Sequence, residues 1–162
     1  MVRSKEPDLW GSLIIILFTI YLSYLIIVDK SLFGFFVGPL SFTHWMVLIG
    51  GFWIALVTPV YYFLKHHRPK RIKTWMRMHI FGNLIAFMLI SVHFIYWITS
   101  VSFIGTGTAL FVAVLTLVMT GLLQRFNIMT SSRRYIRFIH ISMTTAFYLI
   151  LIIHIISHTI RI

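Results

Sequence analysis

Five apolar runs dominate this chain, and each is long enough to cross a hydrocarbon core, which takes about 20 helical residues. They cover roughly 9–28, 42–64, 79–100, 109–123 with flanking residues, and 138–160. The fourth is the shortest, and residues 103–107 can extend it. Of the 162 residues, 59% are hydrophobic and 10% are charged, where soluble domains carry about a quarter charged. The expected fold is therefore all-α: an integral membrane bundle of five transmembrane helices forming one helical domain over 1–162. Membrane lipid is its first partner. No secretory leader is expected, because the first run is as long as the others.

Between the first two runs, "DKSLFGFFVGPLSF" contains Gly34, Gly38 and Pro39, which interrupt a helix. It reads as a loop lying in the interface. Trp10, Trp45, Trp75 and Trp97 fall near run ends, where tryptophan prefers the headgroup level.

Charge sets the topology. Lys65, Arg68, Lys70, Arg71, Lys73 and Arg77 crowd the connection after the second run, and Arg125, Arg133, Arg134 and Arg137 the one after the fourth. The alternate connections carry Lys30 alone. By the positive-inside rule the N-terminus and both basic loops are expected in the cytoplasm and the C-terminus outside, in a multi-pass cell-membrane protein. The net charge of +11 then needs no nucleic acid to account for it.

What the chain lacks narrows its chemistry. It has no cysteine, which removes disulfides, thiolate nucleophiles and iron–sulfur clusters. Its three acidic residues, Glu6, Asp8 and Asp29, lie outside the apolar runs, so carboxylate proton relays and paired-acid hydrolysis have no material.

Histidine is the ionisable residue that does enter the runs. His79 and His93 are fourteen positions apart in the third run, and His140 and His154 are fourteen apart in the fifth. Fourteen residues make about four helical turns less 40°, so each pair shares one helix face, about 21 Å apart along the axis. In an up-and-down chain the third and fifth spans run parallel. His79 then matches His140 at one depth, and His93 matches His154 at another. Zinc favours four ligands gathered at one point. Two six-coordinate haems need four axial ligands in two facing pairs, and facing helices of a bundle are where such sites are built. The count closes on two haem b groups, clamped between helices 3 and 5.

Gly107 and Gly121 are also fourteen apart, which fits recesses at the same two levels or ordinary packing by small residues. Gly82 stands three positions from His79, with the same two readings. Arg77, Arg134 and Arg137 lie at the cytoplasmic ends of the ligand helices. Haem propionates could accept hydrogen bonds from them there, although orienting the protein is already a sufficient role. His66 and His67 belong to the basic loop. His44 and His158 fall near the outer face, as interfacial polar residues or part of a metal or substrate site. Equal spacing favours His154 over His158 as the ligand.

At these residues the chain resembles the ferric reductase-like transmembrane domain family. That family includes the membrane parts of NADPH oxidases, ferric reductases and the haem subunit of the bacterial methionine sulfoxide reductase system. "HIFGNLIAFMLISVH" and "HISMTTAFYLILIIH" match its paired histidines on the third and fifth helices. "VTPVYYFLKHHRPKRIKTWMRMH" is similar to the approach to the first ligand in the sulfoxide reductase branch, and "SSRRYIRFIH" to the arginine-rich start of the fifth helix. The resemblance covers about 42–160. It implies an oxidoreductase component carrying electrons across the bilayer, from a cytoplasmic-side donor to an outer-side acceptor. The family's flavin- and nicotinamide-binding region and its sixth helix do not follow the fifth run here, so a separate flavoprotein subunit or quinol is expected as donor. His79 with Gly82 also resembles the histidine–x–x–glycine pattern of cytochrome b from quinol-oxidising complexes. A structural membrane subunit without redox chemistry is the remaining reading.

Overall fold

A computed structural model describes residues 6–67, 69–100 and 105–159, with the side chains of 69, 158 and 159 outside that description. Its helices are α1 (Glu6–Val28), α2 (Phe42–His67), α3 (Ile72–Ile98), α4 (Thr106–Phe126) and α5 (Arg133–Thr159). All five are long and apolar enough to cross a membrane. Helices suit that setting because each satisfies its own backbone hydrogen bonds where lipid offers none. Large apolar side chains such as Ile14, Leu17, Phe52 and Ile152 point outward, as lipid contact requires.

The helices outrun the apolar stretches at their basic ends. α3 begins at Ile72 rather than at His79, and α2 continues through Lys65 to His67. Long basic side chains keep their charges in the headgroup region while the backbone stays helical. α1 likewise starts at Glu6, which puts Asp8 in its first turn. There a carboxylate favours the positive end of the helix dipole.

The connection read as a loop has local order. Asp29 caps a short 3-10 turn at Lys30–Leu32, accepting from the backbone N–H and the hydroxyl of Ser31. The Ser31 hydroxyl, then its backbone N–H, holds the Asp29 carboxyl below its ordinary pKa. A two-residue hairpin follows, β1 (Phe36–Val37) against β2 (Leu40–Ser41). Gly38 sits at its first turn position with φ +63°, the left-handed region that tight hairpins require. Lys30 Nζ donates to the Thr99 carbonyl, which ties this connection to the end of α3.

The chain gathers into two compact units, Met1–Val101 and Ser102–Ile162. In the first, α3 packs against both α1 and α2, with Ile26, Ile54, Leu84, Ala86, Ile90 and Val92 buried. Glycines set how closely these helices approach. A methyl group at Gly50 would lie 2.8 Å from the Ala86 carbonyl, and one at Gly82 would fall inside the Trp53 indole. Gly82→Val should therefore destabilise the unit by about 1–3 kcal/mol, the usual cost of overpacking. Chemical denaturation in detergent measures it, and Gly51→Ala, where no atom lies within 4 Å, is the matched control.

In the second unit α4 packs against α5, and Ala113, Val114, Ile136 and Phe147 are buried. α4 ends at Asn127, whose φ of 54° is left-handed, and Ile128 N–H closes the turn on the Leu123 carbonyl at 3.3 Å. Asparagine tolerates that conformation better than most residues.

Candidate functional site: histidines at two levels

In the second unit two histidines of α5, His140 and His154, meet matching surroundings on α4. His140 Nδ1 lies 2.9 Å from Thr120 Oγ1, and His154 Nδ1 lies 2.9 Å from Thr106 Oγ1. The residue after each threonine is a glycine. A Cβ placed at Gly121 would stand 3.5 Å from His140 Cε1, and one at Gly107 would stand 3.5 Å from His154 Cε1. Both imidazoles are half-buried. Each is held at one nitrogen by a hydroxyl while its Cε1 edge rests over a residue without a side chain. Gly107 and Gly121 thus lie beside histidine rings, at a distance where a Cβ would make ordinary van der Waals contact. The threonines went unread in the sequence, yet Thr-Gly recurs at 106–107 and 120–121 with the histidines' own interval.

The first unit treats His79 and His93 differently. His79 stacks on Tyr61, with ring centroids 4.6 Å apart and planes 20° from parallel. Asn83 Nδ2 stands 3.3 Å from His79 Nδ1, while the buried Asn83 Oδ1 lacks a hydrogen bond. A half-turn of the amide exchanges those two atoms and lets Oδ1 accept from the ring. Gly82, one turn along from His79, carries the Trp53 indole instead of a histidine ring.

His93 meets His44 edge to face, with centroids 5.0 Å apart. The exposed His44 is itself held by Ser41, whose Oγ lies 2.5 Å from His44 Nδ1. This contact between His44 and His93 has no signal in spacing, because it joins the start of one helix to the end of the next. The side chain of His158 lies outside the described residues.

Arg77 Nε donates to Asp8 Oδ1 at 3.1 Å, and the Asp8 side chain is 3% exposed. This pairing joins α3 to α1 and leaves the other guanidinium nitrogens for further contacts. Arg134 and Arg137 are exposed in the first turns of α5. His66 and His67 donate back to the Tyr62 and Phe63 carbonyls within the last turns of α2.

Among the described residues no three histidine or acidic side chains gather as a metal cluster. The histidines are instead spread along the helices, three on α2, two on α3 and three on α5. Comparison of the chain with protein-family models, with curated proteins and with solved structures finds no match.

Proposed function

We propose that two half-buried histidine pairs, four turns apart on α3 and α5, make this chain a membrane di-haem b cytochrome. His79 and His140 hold the inner haem and His93 and His154 the outer one, in a protein of the ferric reductase-like transmembrane type. The repeated setting on α4 carries this reading. A histidine that ligates through Nε2 is commonly oriented by a hydrogen bond at Nδ1, and Thr106 and Thr120 offer that bond. Gly107 and Gly121 leave the ring edges uncrowded. The donor set fits: imidazole nitrogen suits haem iron, and the absence of cysteine makes attachment non-covalent.

When bound, haem supplies reversible one-electron chemistry. The chain's part is to fix the imidazoles, exclude water with apolar helices, and hold charge at the membrane faces. Arg77 and Arg137 stand at the basic ends of α3 and α5, where propionates would be held. We place the N-terminus and both basic loops in the cytoplasm and the C-terminus outside the cell membrane, from loop charge. Electrons then pass from a separate cytoplasmic flavoprotein, or from quinol, to an outer-side acceptor.

The test is haem content. Pyridine haemochromogen analysis of the purified, fully loaded protein should give two haem b per chain, with a reduced-minus-oxidised spectrum typical of six-coordinate b haem. A value near zero would leave a structural membrane subunit as the better reading.

A further inference from the structure

Thr120 has one hydroxyl proton, and the nearest acceptor for it is on its own helix. The Thr116 carbonyl lies 2.7 Å from Thr120 Oγ1, and the Leu117 carbonyl lies 3.2 Å away as the longer alternative. Both are acceptors without a proton to give. The Thr120 oxygen is then placed to accept from His140 Nδ1, 2.9 Å away, and the Leu117 carbonyl is a second acceptor for the same ring. The hydrogen in that contact belongs to Nδ1, and a neutral imidazole protonated at Nδ1 keeps its lone pair at Nε2.

We propose that Thr120 is a positioning residue that fixes His140 as the Nδ1–H tautomer, leaving Nε2 as its metal-binding nitrogen before any cofactor arrives. The tautomer assignment stands on hydrogen-bond geometry alone; its redox consequence rests on the haem reading above. An Nδ1–H that donates to an oxygen makes imidazole a stronger donor to oxidised iron, which lowers the reduction potential. Removing the oxygen acceptor should raise it.

Two measurements on the full-length protein in detergent test this. The first is ¹⁵N–¹H correlation of histidine side chains in haem-free protein, with His140 assigned by its loss in His140→Gln. His140 should show the Nδ1–H pattern. Thr120→Val, which keeps the shape and removes the oxygen, should weaken the preference, and Thr120→Ser should restore it. The second is potentiometric titration of loaded protein, where Thr120→Val should move the inner component upward and Thr120→Ser should return it toward the wild-type value. An Nε2–H pattern at His140 in the wild-type protein would overturn the proposal, as would an unchanged tautomer in Thr120→Val. If the tautomers behave as expected but the protein takes up no haem, the positioning role holds and the cytochrome reading fails. Thr120→Ser keeps the test open should the valine variant fold poorly.

Discussion

His140→Ala and His79→Ala should each lower the loaded protein from two haems to one, and both should remove the same component in a potentiometric titration. His93→Ala and His154→Ala should each remove the other. The effect is a loss rather than a weakening, because a six-coordinate b haem without cysteine is held largely by its two axial bonds. Shared loss within a pair is the informative result: it would report which histidines act at one level, the relation that spacing alone supports. His44→Ala is the control, since that exposed ring touches His93 by its edge and should leave both haems in place. If His154→Ala retains two haems and His158→Ala loses one, the outer ligand on α5 is His158.

The second large effect concerns the side on which electrons enter. Lys65, Lys70, Arg71 and Lys73 sit together between the apolar parts of α2 and α3, and such a cluster attracts an acidic flavoprotein. Steering of this kind raises association rates by about 10–1000-fold and fades as salt rises, with a screening length of about 8 Å at physiological ionic strength. Stopped-flow reduction in oriented proteoliposomes should therefore slow about tenfold or more as salt increases with a cytoplasmic flavoprotein donor. Replacing Lys70, Arg71 and Lys73 by glutamine should reproduce the slowing at low salt. A quinol donor reaches the protein within the bilayer and has little to gain from those charges. Fast reduction by quinol, indifferent to salt and to the triple replacement, would favour the quinol-oxidising cytochrome b reading and leave the basic loop with topology as its role.

Much of the fold was legible because the bilayer imposes one coarse rule, and hydropathy reads that rule directly. All five helices lie where the apolar runs lie. What escaped was set by contacts rather than composition. Asp8 stands outside the apolar run, yet it is buried because Arg77 of α3 reaches it. Helix ends were missed wherever lysine or arginine continued the helix past the hydrocarbon edge, as at Ile72–Met78. Gly82 carried two readings in the sequence, a space beside His79 or helix packing; Trp53 lies over it. That indole comes from α2, at a separation no local pattern can show. The hairpin at Phe36–Ser41 was hidden because two-residue strands are too short to alternate. The threonines beside His140 and His154 were the available signal left unused, because threonine inside a membrane helix ordinarily bonds its own backbone, as Thr116 does to Val112.

The α4–α5 pairing also bears on how this protein can vary. Thr120 with His140 and Thr106 with His154 are mirror positions about the connection at 127–132. Lengthening that connection leaves both pairs in register, provided the two helices still dock. One residue inserted into α4 between the pairs would instead turn them about 100° apart and shift one by about 1.5 Å. The hairpin therefore acts as a gauge: its interval is locked into two helices, while the turn between them is open to change. Loop charge can change in a lineage without disturbing the distance between the two threonine–histidine pairs.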